Sequence, residues 1–388
     1  MEKVFFGANL RLARNFHART LQEIASRLDV SRQFVYMLEA GKAIPKSNQV
    51  EDLAGYLDVL PEFFYEGAPP LVSEDQCHFR GNITARVSIK QVTLAKGEIF
   101  RRLVTLLDTK LELPRFVFPE IEVRSFADIE SAAERCRREW DLGLGPIENM
   151  ARVVETSGVV VTSFRHVSRE IDAMSIYSNR PVMVANEEGR SACRVRFDLG
   201  HEAGHFVMHV GRQTGDRITE TEANRFAGAF LMPRSTFSKE FPAPRSGRMS
   251  WRSLSELKLR WKVSKAAMIY RARQLGLLSE EQYKSGVIFL NRHGEARIEE
   301  EDGQIPMEKP ELFDNAVKCA CEHYSISLAD LGREIGLRES IIQEFLSDSP
   351  PRVETAAQGG TVIDIARYRA RLQAVDAENG VVPSAGSK

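Results

Sequence analysis

The chain has no apolar run approaching the roughly 18 residues needed to cross a bilayer, so a membrane-spanning helix is not expected. Its first residues, MEKVFFGANLRLARNF, carry charges where a signal peptide needs an unbroken apolar core, and an unexported, cytoplasmic protein is the expectation. Cysteine is scarce: Cys77, Cys136, Cys193, Cys319 and Cys321 make an odd, scattered set of 5 with no CxxC pair. That excludes a disulfide framework and a zinc ribbon, and fits free thiols in a reducing compartment. An excess of one charge is also missing, since 53 Lys plus Arg stand against 54 Asp plus Glu. Any contact with nucleic acid must then come from a local basic face. No repeat of solenoid period is present.

What is present is ample apolar material. With 388 residues, 43% of them hydrophobic, the chain can bury more than one core. The pattern predicts a multidomain, mainly α protein with a small β-sheet. Residues 1–66 read as short amphipathic helices, with Leu10, Leu21, Ile24, Leu28, Val35, Leu38, Leu53 and Leu57 at helical spacings. Gly67-Ala68-Pro69-Pro70 breaks that pattern and opens a linker and helical connector over 67–125, which the pattern attaches to neither neighbour.

Residues 126–240 form the next unit. A helix closes at Gly143 and a second opens at Pro146; strands are expected over 158–164 (GVVVTSF) and 180–186 (RPVMVAN). SACRVRFDLGHEAGHFVMHV and ETEANRFAGAFLMP return to helical spacing, the latter stopped by Pro233. Residues 241–350 read as mostly helical, with a hairpin expected around Asn291-Arg292-His293-Gly294, and 351–388 as a disordered tail.

Two segments carry chemistry. In TLQEIASRLDVSRQFVYMLEAGK, Thr20 and Glu23 make a capping box, Ala25 is small where two helices cross, Leu28-Asp29-Val30 turns, and Ser31 caps a second helix. Arg32, Gln33 and Tyr36 remain on the exposed face of that helix, and Arg and Gln pair bidentately with guanine and adenine edges. Gln22, Lys42 and Lys46 are placed to hold phosphates and set register. The segment resembles the Cro/C1-type (XRE family) helix-turn-helix over about residues 6–64, including Leu53-Ala54-Gly55-Tyr56-Leu57-Asp58-Val59. That resemblance implies a double-stranded DNA operator and binding as a homodimer on paired half-sites.

The second segment is His201-Glu202-Ala203-Gly204-His205. Two histidines four apart share one helix face and converge on one ion, while Glu202 is offset to address a bound water as general base. A third ligand must come from elsewhere. Glu220 is preferred because Asn224 lies four residues later on the same face and can support a ligand. Glu222 points about 200° away on an ideal helix, although a shifted helix start would reverse the choice. His209 continues the histidine face and suits packing or support; His166 follows a strand and is read as structural.

RFDLGHEAGHFVMH, ETEANRFAGAFLMP and AERCRREWDLGLGPIENMARVVETSGVVV together resemble the ImmA/IrrE family of metallopeptidases. The resemblance implies a gluzincin-like site with Zn2+ on His201, His205 and Glu220 and water polarised by Glu202, Mn2+ or another divalent ion being a possible substitute. It also implies a helix-turn-helix repressor as the target, in a stress-response or toxin-antitoxin setting. The fused DNA-binding domain leaves cleavage of a partner and cleavage of the chain itself both open. The alternative is a non-proteolytic repressor or antitoxin whose peptidase-like domain senses a ligand or binds a partner such as a toxin. In the C-terminal region, Ser327 caps and Gly336-Leu337 turns a second helix pair. Its mixed charge at Arg338 and Glu339 suits packing or dimerisation better than DNA reading.

Overall fold

The computed structural model describes residues 4–65, 77–81, 87–163, 171–187, 189–212, 214–244 and 248–347. The linker at 67–70, His166 and the tail from 351 lie outside the described residues. Four helices, α1 (Gly7–Phe16), α2 (Leu21–Leu28), α3 (Arg32–Glu39) and α4 (Ser47–Tyr56), precede a short 3-10 turn at Pro61–Phe64. Then come β1 (Cys77–Gly81), the long α5 (Val87–Lys110), α6 (Phe126–Glu139) and α7 (Met150–Thr156). β2 (Val160–Ser163), β3 (Ile171–Ile176) and β4 (Val182–Ala185) follow. The remaining helices are α8 (Ala192–Met208), α9 (Arg217–Leu231), α10 (Arg234–Glu240), α11 (Trp251–Trp261), α12 (Lys265–Gln274), α13 (Glu280–Arg292), α14 (Leu312–Tyr324), α15 (Leu328–Arg333) and α16 (Glu339–Gln343).

The sheet has the order β1-β3-β4-β2, with β2 parallel to β4 and the other pairs antiparallel. It divides two hydrophobic cores. Val160, Val182 and Val184 face the first core, whereas Val161 and Met183 face the second, the two-residue alternation of a sheet buried on both sides. The first core gathers α1–α4, α5 and α14–α16; the second gathers α6–α13 and the segment around Phe118. Helix α5, unassigned by its sequence pattern, thus belongs with the N-terminal helices through Ile99, Phe100, Leu103 and Leu107.

Three expectations need correction. Helix α7 opens at Met150 rather than Pro146, because the Asn149 side chain accepts from Arg152 N while Arg196 binds the carbonyls of Ile147 and Glu148 and holds them out of the helix. No hairpin forms at 291–294. Helix α13 runs to Arg292 and stops at Gly294 (φ 75°), and the acidic stretch beyond it is drawn to Lys258 and Lys265 on α11 and α12. Two strands, β1 and β3, were not foreseen.

Candidate metal centre and DNA-reading face

Helix α8 is capped by Ser191, whose hydroxyl accepts from Arg194 N, and it is buried along nearly its whole length. Helix α9 is capped by Asp216 through Ile218 N and Thr219 N, which fixes where Glu220 falls. The two helices cross closely at Gly204, where an added Cβ would lie 3.0 Å from the Phe226 ring. That approach brings Glu220 over the histidine pair.

The geometry is compact. His201 Nε2 and His205 Nε2 are 3.0 Å apart, and the Glu220 carboxylate lies 3.3 Å from the first and 3.4 Å from the second. His201 Nδ1 meets Asn224 Oδ1 at 3.1 Å; an amide oxygen only accepts, so this ring nitrogen carries the proton. His209 Nε2 meets Glu222 Oε2 at 2.9 Å, and His209 Nδ1 meets His205 Nδ1 at 2.8 Å. With its Nε2 donating to the carboxylate, a neutral His209 offers a bare Nδ1, so His205 donates from Nδ1. Both Nε2 atoms at the centre then hold lone pairs that face each other.

Two lone pairs and a carboxylate converging in a buried pocket call for a cation. Ligand atoms of a tetrahedral ion with bonds of ~2.0–2.1 Å are separated by roughly 3.3 Å, close to the distances found. Burial pushes His205 down to about 4, leaving it neutral and able to donate to a metal. The group His201, His205 and Glu220 can therefore hold a metal ion.

Glu202 is buried on α8, and its carboxylate accepts a short hydrogen bond from the Ser175 hydroxyl on β3. Ser175 was missed because its strand was not foreseen. Glu222, the alternative to Glu220 as third donor, is not part of the His201, His205 and Glu220 group; it pairs with His209 instead, a contact the sequence reading did not foresee.

The helix-turn-helix segment has the expected local structure. Thr20 and Glu23 form a reciprocal capping box, Asp29 takes the left-handed conformation at the turn (φ 51°), and the Ser31 hydroxyl accepts from Phe34 N. Ile24, Ala25, Val35 and Leu38 are buried, leaving Gln22, Ser31, Arg32, Gln33, Tyr36, Lys42 and Lys46 exposed on one end of the domain. Ser31 spends its hydroxyl on the cap, accepting from Phe34 N, while the side chains of the other six stay exposed.

These features mark two modules on one chain, an exposed helix-turn-helix pair and a buried helix pair whose His201, His205 and Glu220 could hold a metal ion. Residues 10–64 match the family described as helix-turn-helix, and residues 154–273 match the family described as IrrE N-terminal-like domain. No curated protein matches the chain. The chain thus joins an XRE-type helix-turn-helix domain to an ImmA/IrrE-type peptidase-like domain. The second match extends past Pro233 to the end of α12, which closes the core behind α8 and α9. Among the described residues no helix is long and apolar enough to cross a membrane.

Proposed function

We propose that the chain is a DNA-binding transcriptional regulator whose peptidase domain, loaded with Zn2+, cuts one peptide bond in a repressor-type protein or in the chain itself. The observation that carries this reading is the pair of inward-facing Nε2 atoms, each fixed by a partner on α9 or by His209, beside a carboxylate and a buried glutamate at the next position. Zn2+ held there would lower the pKa of a bound water and polarise a peptide carbonyl. Glu202 accepts the proton from the attacking water and returns it to the leaving amine. Ser175, donating to one oxygen of Glu202, fixes the direction of the carboxylate.

On the DNA side, α3 enters the major groove with Arg32, Gln33 and Tyr36 at the base edges, while Gln22, Lys42 and Lys46 hold phosphates. The chain acts as a homodimer on two half-sites in the cytoplasm.

Metal content and target cleavage test the reading together. Purified protein should carry about one zinc per chain, lost in His201→Ala. Glu202→Gln should keep the metal and lower cleavage by ~10²–10⁴-fold, the usual contribution of a general base. Regulation that persists unchanged in cells carrying Glu202→Gln would overturn the proteolytic part and leave a repressor that senses through its peptidase-like fold.

A further inference from the structure

The two edges of the sheet are closed in different ways. On the β2 edge, α14 packs against the strand and the Thr162 hydroxyl donates to Phe345 O, so the edge is sealed by the C-terminal helices. On the other edge stands β1, five residues long, paired antiparallel with β3 as Cys77 opposite Ile176, His78 opposite Ser175, Phe79 opposite Met174 and Arg80 opposite Ala173. The pairing becomes irregular between Arg80 and Gly81. This strand belongs neither to the helix-turn-helix fold, which ends at Tyr65, nor to α5, which begins at Val87.

Its position bears on the chemistry. β3 carries Ser175, the hydrogen-bond donor to Glu202, and β3 packs on α8, the helix that bears the metal ligands. A peptidase must hold its substrate backbone extended beside the base, and an extended peptide is held by adding a strand to an open sheet edge. The outer edge of β3 is such an edge on the side of the catalytic helix. Opposite Ser175 it is taken by the chain's own His78.

We propose that Cys77–Gly81 is an internal occupant of the peptide-binding edge, paired to β3 in the place of a substrate backbone, and that an extended segment of a protein target binds by displacing it. This rests on the peptidase reading above and adds the ligand class and the competitor. Exchange of one strand for another swaps equivalent backbone hydrogen bonds, so a target must overcome the high effective concentration of a tethered strand. In sequence β1 stands between the DNA-binding helices and α5, so a target bound at the edge of β3 detaches a strand that those helices flank.

The test uses full-length zinc-loaded protein and a fluorescein-labelled peptide of residues 74–84 of this chain, with binding read by anisotropy and peptide integrity by mass spectrometry. In an antiparallel pair, alternate residues turn their N–H groups to the partner strand, so replacing two neighbours by proline removes at least one donor. His78→Pro with Phe79→Pro should bind the peptide at least ~10-fold more tightly than wild type, since the tethered competitor is gone. Equal affinity in the two folded proteins would overturn the proposal. A second measurement needs no variant: at saturating peptide, hydrogen exchange in the wild-type chain should show residues 77–81 losing protection while 171–176 keep it. Bound peptide with protection at 77–81 unchanged would also overturn it. Displacement of β1 in a protein that holds no zinc and cuts nothing would support the edge proposal and count against the peptidase reading.

Discussion

Glu222 is joined to the histidine row of α8 through His209: the carboxylate lies 2.9 Å from His209 Nε2, and the opposite nitrogen of that ring lies 2.8 Å from His205 Nδ1. A carboxylate 17 positions beyond His205 in sequence thereby sets which nitrogen of that ring carries the proton. Removing such an outer partner commonly costs 10–100-fold in metal affinity. His209→Ala and Glu222→Ala should each weaken zinc binding by about that factor, measured by competition with a chelator of known affinity. Because both act through one chain, the double variant should cost little more than either single one. Additive losses would show that the two residues act separately.

The DNA face should divide into two kinds of residue. Arg32→Ala and Gln33→Ala should each cost ~1–3 kcal/mol on the operator and relax preference at one base position, as expected for side chains that read base edges. Lys42→Ala and Lys46→Ala should weaken binding to all sequences alike and each reduce the slope of log K against log salt by about 1. Mobility-shift titrations at several salt concentrations separate the two patterns. A uniform loss from Arg32→Ala would place that residue on phosphate instead.

Local signals made the functional elements legible, and long-range pairing hid the rest. Thr20, Glu23, Asp29 and Ser31 announce their helices by capping chemistry within three residues, and His201 and His205 share a face by helical geometry alone. Glu220 followed from the need for a third donor, and the close approach at Gly204 is what delivers it. β3 escaped notice because Asp172 and Ser175 break the apolar run of IDAMSI. β1 has no apolar run at all and exists by pairing with residues 90 or more positions away. The false hairpin arose because glycine ends a helix by the same left-handed backbone that makes a turn; Gly294 does the former.

Glu155 joins α7 to α14, accepting from the amides of Glu311 and Leu312 while buried from solvent. Burial lifts its carboxyl to about 8, against the opposing pull of those two amides. The folded state therefore binds this proton more tightly than the unfolded chain, where the group titrates near 4.5. Its contribution to stability is complete below about 4.5 and is lost as pH rises through about 8. Denaturation midpoints measured from pH 5 to 9 should fall with pH in the wild type more steeply than in Glu155→Gln, whose amide keeps an acceptor for the helix and does not ionise. Parallel curves would assign the junction a carboxylate that is already charged.

The C-terminal helix pair fastens onto the DNA-binding half at a point where no side chain fits. Gly336 has φ 70°, its carbonyl accepts from Leu60 N, and an added Cβ would come within 2.5 Å of the Phe63 backbone. Around it, Arg338 donates to Val59 O and the Ser340 hydroxyl to Asp58. A methyl group here meets both an unfavourable backbone conformation, costing ~1–2 kcal/mol, and a contact that rigid backbone cannot relieve. Gly336→Ala should therefore part α15 and α16 from the end of the helix-turn-helix domain rather than strain a local turn. The expected result is a loss of ~1–3 kcal/mol in global stability, with hydrogen-exchange protection falling first at residues 57–64 and 331–342. Zinc binding, which depends on the second core, should be unchanged; a matching loss of metal would mean that the sheet transmits strain from one core to the other.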